Sequence, residues 1–426
     1  MSRPPTPGSA ASLEAWLDYI SAQHPAQIAL GLERVREVMD RMGLAPPPFA
    51  FVVGGTNGKG STCAFLECIL RTAGYRTGLY TSPHLVRYNE RVRIDGGEAG
   101  DAALARDFAR VEAARGTTPL TYFEFGTLAA LAAFEAARIE VAILEVGLGG
   151  RLDAVNVVDA DCAIVSTVDL DHQAWLGDTR EAIALEKAHI YRAGRPAFFG
   201  DADPPATLVA HARSIGADLQ VLGPDFRAIP RERQWDFEGR RGAKRALPMP
   251  ALRGPWQLGN AATALAALDE AAARLPVSVG EAKRGLTAVR LAGRLQVLPG
   301  RPTVVLDVAH NPHAARALAR GLGDMGYHER TIAVFAMLGD KDIGGVIDAL
   351  SPRIDLWHVA AVASERAASA STLAGMLAAR GLAARTRSFA TVPLAYEAAL
   401  REAGPNDRIL VFGSFHTVAG VLEIPR

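Results

Sequence analysis

From Phe49 onward the chain sets short, unbroken apolar runs between longer stretches whose apolar positions recur at helical spacing. Solid runs without polar alternation suit strands buried on both faces of a parallel sheet. They predict strands at 49–53, 77–80, 141–146, 162–168 and 196–199, with helices at 62–72, 125–137 and 180–191. Between 229 and 250 the pattern thins into an Arg-rich, turn-rich stretch, read as a hairpin or surface excursion, and a helix at 260–274 follows. A second series opens at Thr303, with strands at 304–308, 331–335, 357–362 and 409–412 and helices at 312–325 and 342–350. Alternation of this kind predicts an α/β protein in two wound domains. The join falls within 293–300, which gives domains 1–295 and 296–426.

Composition narrows the class. The chain has 426 residues, 49% hydrophobic and 22% charged, enough to bury a sizeable core without staples. Lys+Arg and Asp+Glu are 46 each, so the net charge is zero and no global basic footprint points to nucleic acid. Cys63, Cys68 and Cys162 make no metal-knuckle spacing and fit a reducing compartment. The first eight residues carry no apolar core behind Arg3, and the most apolar helical stretch, 127–134, is far short of the ~20 residues a membrane span needs. The expectation is a soluble cytoplasmic monomer with no membrane partner.

The sharpest local signal is Gly54-Gly55-Thr56-Asn57-Gly58-Lys59-Gly60-Ser61-Thr62, after a predicted strand and opening a predicted helix. Glycines let backbone N–H groups curl around a phosphate, the helix N-terminus favours its charge, and Lys59 adds a cation. The match to G-x-x-x-x-G-K-[ST] is incomplete. Val53 replaces the first glycine, and Gly60 stands where the metal-binding hydroxyl belongs, with Ser61 one place late. Magnesium would then need its protein ligands elsewhere.

Ser82, Glu145 and His172 sit at or just past the carboxyl ends of predicted strands, the edge where wound sheets bind ligands. A hydroxyl, a carboxylate and an imidazole could hold Mg²⁺ and leave positions for phosphate oxygens. Each also has an ordinary structural role open to it, as turn residue, ion-pair partner or loop cap. Asp169 and Asp171 flank His172, and Lys187 lies on the next helix, exposed or, if buried, open to modification. In the second series Asp307-Val308-Ala309-His310-Asn311-Pro312 ends a strand and opens a helix, with Asn311 suited to the N-cap and Pro312 to the first turn.

Together these blocks resemble the folylpolyglutamate synthase family of the Mur-ligase superfamily, over about Ile28 to Val421. The resemblance rests on the phosphate loop, Thr81-Ser82-Pro83-His84-Leu85 with Tyr88-Asn89-Glu90-Arg91, and Thr121-Tyr122-Phe123-Glu124-Phe125. It continues through Glu145-Val146-Gly147-Leu148-Gly149-Gly150-Arg151-Leu152-Asp153, Leu170-Asp171-His172, Glu186-Lys187 and Asn260-Ala261-Ala262. Arg294, the Asp307 block and Gly413-Ser414-Phe415-His416 complete it. It implies a P-loop ATPase domain with a mainly parallel sheet, followed by a smaller Rossmann-like α/β domain.

By resemblance, ATP phosphates lie on Thr56, Asn57, Gly58 and Lys59, and Asn260, Arg294 and Asp307 also contact ATP. Ser82, Glu145 and His172 ligate Mg²⁺, and Lys187 matches the lysine that the family carries as a carbamate. Lys59, Lys187 and His172 are the catalytic candidates. Ile28, Ala29 and Leu30, Thr121 to Glu124 (Tyr122 and Phe123 between them), and Leu152, Asp153 and Ala154 would hold a pterin. Ala29 departs from the family, where an aspartate often stands. His310, Ser414 and His416 are candidates for glutamate.

The implied reaction joins L-glutamate to dihydropteroate or a reduced folate, through an acyl phosphate made from ATP at a site between the domains. The 121–125 and 152–153 segments favour the form with both activities over a synthase acting on folates alone. A UDP-sugar ligase is disfavoured because the ~45 residues before the first strand are few for its usual extra domain. A regulatory P-loop switch would not need Arg294 and Asp307.

Overall fold

The computed structural model describes residues 6–8, 11–24 and 28–424. Two units emerge from it: the residues up to Pro250 together with Leu258–Val289, and Ala251–Gln257 together with the chain from Arg290 on.

The first unit is built on β1 (Ala50–Gly54), β2 (Thr77–Tyr80), β3 (Val92–Ile94), β4 (Gly97–Glu98), β5 (Val141–Glu145), β6 (Cys162–Val165), β7 (Pro196–Phe199) and β8 (Asp218–Val221). They form one sheet in the order β4-β3-β2-β5-β1-β6-β7-β8. Every residue of β1 is buried, and successive side chains alternate faces, so the sheet is covered on both sides. Ala50 and Val52 enter a core with Leu144, Val165, Phe108, Phe125 and Trp16. The helix Lys59–Thr72 packs on β1, β2 and β5.

The sheet is mainly parallel, as expected, with one antiparallel edge at β2–β3 and β3–β4. The short link 81–91 has no room for the crossover of a dozen or more residues that parallel pairing requires. Likewise the predicted strand 162–168 stops at Val165, because Ser166 and Thr167 turn away to bond the phosphate loop. The 229–250 stretch is a three-stranded antiparallel sheet: β9 (Arg227–Pro230), β10 (Gln234–Gly239) and β11 (Gly242–Pro248). Its apolar signal is weak because one face is polar: Trp235 and Phe237 are buried while Asp236 and Glu238 pair with Arg231, Arg245 and Arg227.

The second unit orders its strands β12-β13-β17-β14-β15-β16, from β12 (Gln296–Leu298), β13 (Thr303–Asp307), β14 (Thr331–Phe335), β15 (Leu356–Val359), β16 (Thr386–Ser388) and β17 (Arg408–Phe412). Here β12 and β13 form an antiparallel hairpin and the rest is parallel. Its core gathers Phe335, Trp357, Phe412 and Leu410. Asn311 caps the helix Pro312–Gly323 through Ala314 N–H at 2.9 Å, as the sequence suggested. No described helix is long and apolar enough to cross a membrane.

Candidate active site

Strand register sets the site. Val53 pairs with Glu145, Gly54 with Val165, and Tyr80 with Leu144, so the carboxyl ends of four neighbouring strands finish level. The phosphate loop leaves β1 at this edge. Gly55 (φ +136°) and Gly58 (φ +88°) take backbone conformations that a side chain resists. A Cβ on Gly55 would lie 2.0 Å from Ser166 Oγ, and one on Gly58 would lie 2.7 Å from Asn260 Oδ1.

The loop is held from beside. Thr56 N–H donates to Thr167 O at 2.7 Å and Asn57 N–H to Thr167 Oγ1 at 3.1 Å. Ser166 Oγ donates to Asn57 O at 2.6 Å, and the Thr56 hydroxyl exchanges two 3.1 Å bonds with the Asp169 backbone. Thr56 and Asn57 therefore fix the loop's shape. The N–H groups of Lys59 and Gly60 open the helix, so they have no acceptor within it and carry the positive end of the helix dipole.

Two ammonium groups meet at one carbonyl. Lys59 Nζ donates to Gly55 O at 3.1 Å and Thr56 O at 3.3 Å, and Lys187 Nζ donates to the same Gly55 O at 3.1 Å. Burial pushes the pKa of Lys187 down to about 7, the Lys59 charge adds to that, and Asp171 and Asp153 oppose it. Lys187 is thus buried, beyond what sequence alone could decide.

A stability signature follows. Below pH 7 both folded and unfolded chains hold the Lys187 proton, and the folded state bears the whole cost of a buried ammonium. Between about 7 and 10.5 only the unfolded chain holds it, so stability rises with pH across that window. In buffer free of carbon dioxide, Lys187→Met should raise Tm more at pH 6 than at pH 9. Thermal denaturation at the two pH values checks this, and an equal effect at both would refute it.

Of the three residues expected at a metal, two are side by side. Ser82 N–H donates to Glu145 Oε2 at 3.2 Å, and Glu145 is buried at the end of β5. His172 lies in the left-handed region (φ +53°) at the start of the short helix Gln173–Leu176, its N–H on Asp171 Oδ1 at 2.8 Å. Among the described residues no three His, Cys, Asp or Glu side chains are gathered to hold a metal ion.

Two of the three segments expected around a pterin are joined by Arg34, which sequence reading missed, and the third is reached through Gly31. Arg34 donates to Ala29 O at 2.7 Å and pairs with Glu124 at 2.7 Å, and Gly31 N–H reaches Leu152 O at 3.3 Å. A guanidinium beside Glu124 was not inferable without knowing that 28–34 folds against 121–124. Glu124 also closes a capping box with Thr121 at the start of the helix Tyr122–Ala137. Asp153 caps the turn Ala154–Val157 and accepts Leu148 N–H at 2.8 Å, and burial pushes its pKa up to about 6. Phe123 packs 5.8 Å from Tyr80 and lies so close to Gly147 that a Cβ there would meet its ring at 2.7 Å. Beside them Arg91 stands 5.5 Å from the rings of Tyr88 and Tyr122 and donates to His84 Nδ1 at 2.8 Å. Ile28 and Leu30 are half-buried and flank Ala29.

The second unit gathers its own candidates. Arg294 lies 5.1 Å from the Phe415 ring, and His310 is 6.4 Å from that ring. Asp307 is buried at the end of β13, accepting Leu295 N–H at 2.7 Å and Ala309 N–H at 2.8 Å. Burial raises its pKa against those donors and Arg294. Ser414 caps the helix Phe415–Leu422 and is buried, while burial and then Arg366 lower the pKa of His416.

Residues 53–212 match the Mur ligase middle domain, and 293–415 match the Mur ligase glutamate ligase domain. The chain is 46% identical over 420 residues to the dihydrofolate synthase/folylpolyglutamate synthase of Escherichia coli, covering 98% of this chain and 97% of that protein. The solved E. coli FolC in complex with DHPP and ADP superposes with a TM-score of 0.93 at 46% identity, covering 98% of each chain. A bifunctional folylpolyglutamate synthase/dihydrofolate synthase solved with Mn, AMPPNP and L-glutamate bound gives 0.91 at 45% identity, over 98% of this chain and 99% of that one.

Proposed function

The chain belongs to the dihydrofolate synthase/folylpolyglutamate synthase family of Mur ligases, and from that premise we propose that it joins L-glutamate to dihydropteroate and to reduced folates with cleavage of ATP. One observation carries the reading. Lys59, the buried Lys187 and the Ser82–Glu145 pair share one sheet edge, and the segments 28–30, 121–124 and 152–154 are tied to one another through Arg34 and Gly31.

The substrate carboxylate attacks the γ-phosphorus of ATP, forming an acyl phosphate and releasing ADP. The glutamate amine then attacks the acyl carbon and expels phosphate. The γ-phosphoryl group develops charge at its oxygens, and Lys59 at the helix N-terminus neutralises part of it. Asn260, against Gly58, is assigned to the nucleotide with Arg294 and Asp307, while His310, Ser414 and His416 are assigned to glutamate.

A hydroxyl, a buried carboxylate and an imidazole suit a hard or borderline divalent cation, so Ser82, Glu145 and His172 would hold Mg²⁺. When bound, it supplies positive charge to the phosphate oxygens. Lys187 carries a carbamate, because only a neutral amine adds carbon dioxide and burial leaves much of this one neutral near pH 7.

The test is ADP release from purified protein given ATP, Mg²⁺ and glutamate with either dihydropteroate or a reduced folate. Turnover of both is expected, and failure with dihydropteroate would leave a synthase acting on folates alone. The folate is longer by one glutamate, so one fixed γ-phosphate cannot meet both carboxylates with the pterin in one pose. Phe123→Ala and Asp153→Ala should therefore lower kcat/KM for the two substrates unequally. Equal losses would argue for one shared pose.

A further inference from the structure

Arg91 ends the short helical turn Tyr88–Arg91, in a sequence block to which the reaction above gives no role. Its backbone and its side chain reach different parts of the site. Arg91 O accepts Thr81 N–H at 2.9 Å, one residue before the Ser82 whose own N–H bonds Glu145. Its guanidinium stands 5.5 Å from the ring centres of both Tyr88 and Tyr122, and Tyr122 lies in the 121–124 segment assigned to the pterin. One residue therefore joins the edge assigned to the metal to a segment assigned to the substrate.

The guanidinium is fixed in place but not neutralised. Arg91 Nε donates to His84 Nδ1 at 2.8 Å, and the two tyrosine rings supply cation–π contact without a formal negative charge. Among the described residues no carboxylate pairs with it. The adjacent Glu90 is occupied elsewhere. It accepts the N–H groups of Leu85, Val86 and Arg87 at 2.7 Å each and so closes the turn that leads into Arg91. Burial raises the pKa of the Tyr80 and Tyr122 hydroxyls and the Arg91 charge opposes that rise, so the cation is close to both. An arginine held at Nε keeps its two terminal amino groups for a planar anion, and a carboxylate matches their fork.

On the ligase reading above, the two acceptors differ in charge as well as in length. Dihydropteroate ends in a single carboxylate, the one that reacts. A folate ends in a glutamate whose side-chain carboxylate reacts, while its α-carboxylate, a few bonds away, does not. We propose that Arg91 is the receptor for that α-carboxylate and hence a specificity-determining residue for folates. Dihydropteroate brings no such group, so its turnover does not draw on Arg91. Anchoring the α-carboxylate here sets the folate in a pose that dihydropteroate does not share.

The test uses the full chain with Arg91→Met and Arg91→Lys variants and three acceptors. These are dihydropteroate, a reduced folate, and the same folate with 4-aminobutyrate in place of glutamate, which keeps the reacting carboxylate and lacks the other. Arg91→Met should lower kcat/KM for the reduced folate about thirtyfold, the scale of a charge-assisted bidentate contact, and for dihydropteroate by no more than about twofold. On the 4-aminobutyrate analogue native protein and Arg91→Met should agree within about twofold, because neither can make the contact. Arg91→Lys should fall between native and Arg91→Met on the reduced folate, since an ammonium keeps the charge but not the fork. Equal losses on all three acceptors, or a larger loss on dihydropteroate, overturn the proposal and assign Arg91 to the structure of the pocket. So does native-like turnover of the reduced folate by Arg91→Met. Where native protein uses folates alone, the analogue makes the same comparison with the same two outcomes. No turnover of any acceptor by native protein overturns the ligase reading, and this proposal with it.

Discussion

Lys59→Ala should lower glutamate-dependent ADP release about a thousandfold, the scale on which one preorganised charge donor contributes to a transition state. The lysine stands at the helix N-terminus and donates to Gly55 O and Thr56 O, so its Nζ is already at the mouth of the phosphate loop. Its loss should not unfold the chain. Gly55 O keeps Lys187 as a donor, and the loop keeps its bonds to Ser166, Thr167 and Asp169. Tm should therefore stay within about 3 °C of native, the shift that about 1 kcal/mol produces in a unit of this size. Lys59→Arg should not rescue, because a planar guanidinium cannot replace a compact ammonium in a loop shaped around it. A coupled ADP assay beside thermal denaturation decides the matter. Near-native turnover would remove Lys59 from the chemistry, and a collapse in Tm would make it a structural residue.

What the sequence could disclose follows from how local each signal is. The phosphate loop was legible because strand, glycines, lysine and helix are contiguous, and the sheet edge where Ser82 and Glu145 meet follows from each residue ending a strand. The Asn311 and Pro312 cap was legible for the same reason. The antiparallel strands β3 and β4 beside β2 were missed because two short, partly polar strands give no apolar run. Arg34 was invisible because its two partners, Ala29 O and Glu124, come from segments far apart in the chain. The state of Lys187 was undecidable for a related reason. A lysine on an amphipathic helix is exposed or buried according to what covers it, and here the cover is the phosphate loop itself. Ser166 and Thr167 read as strand residues, yet their hydroxyls leave the ladder to hold Asn57. Their function is tertiary, and period and propensity carry no trace of it.

Those two hydroxyl residues set up the other large effect. Gly55→Ala should destabilise the first unit by about 3 kcal/mol or more, from backbone strain and overpacking together, and lower Tm by about 10 °C. The first cause is conformational, since φ +136° is a region that L side chains rarely adopt. The second is steric. The new Cβ would lie 2.0 Å from Ser166 Oγ, 3.0 Å from Ser166 N and 3.1 Å from Thr167 N. The two causes can be separated. Ser166→Ala alone removes a hydroxyl that donates to Asn57 O at 2.6 Å and Gly54 O at 3.2 Å, a loss of about 1 kcal/mol. In the double variant Gly55→Ala/Ser166→Ala the closest contact is gone, while the contacts to backbone nitrogen and the positive φ persist. The double variant should therefore be less destabilised than the sum of the singles, yet less stable than Ser166→Ala alone. Ligation should stay lost in it, because the strained turn no longer presents Lys59 and the helix N-terminus to phosphate. Equilibrium unfolding of the four proteins closes the cycle, and strict additivity would show that Ser166 gives way to the new methyl without resistance.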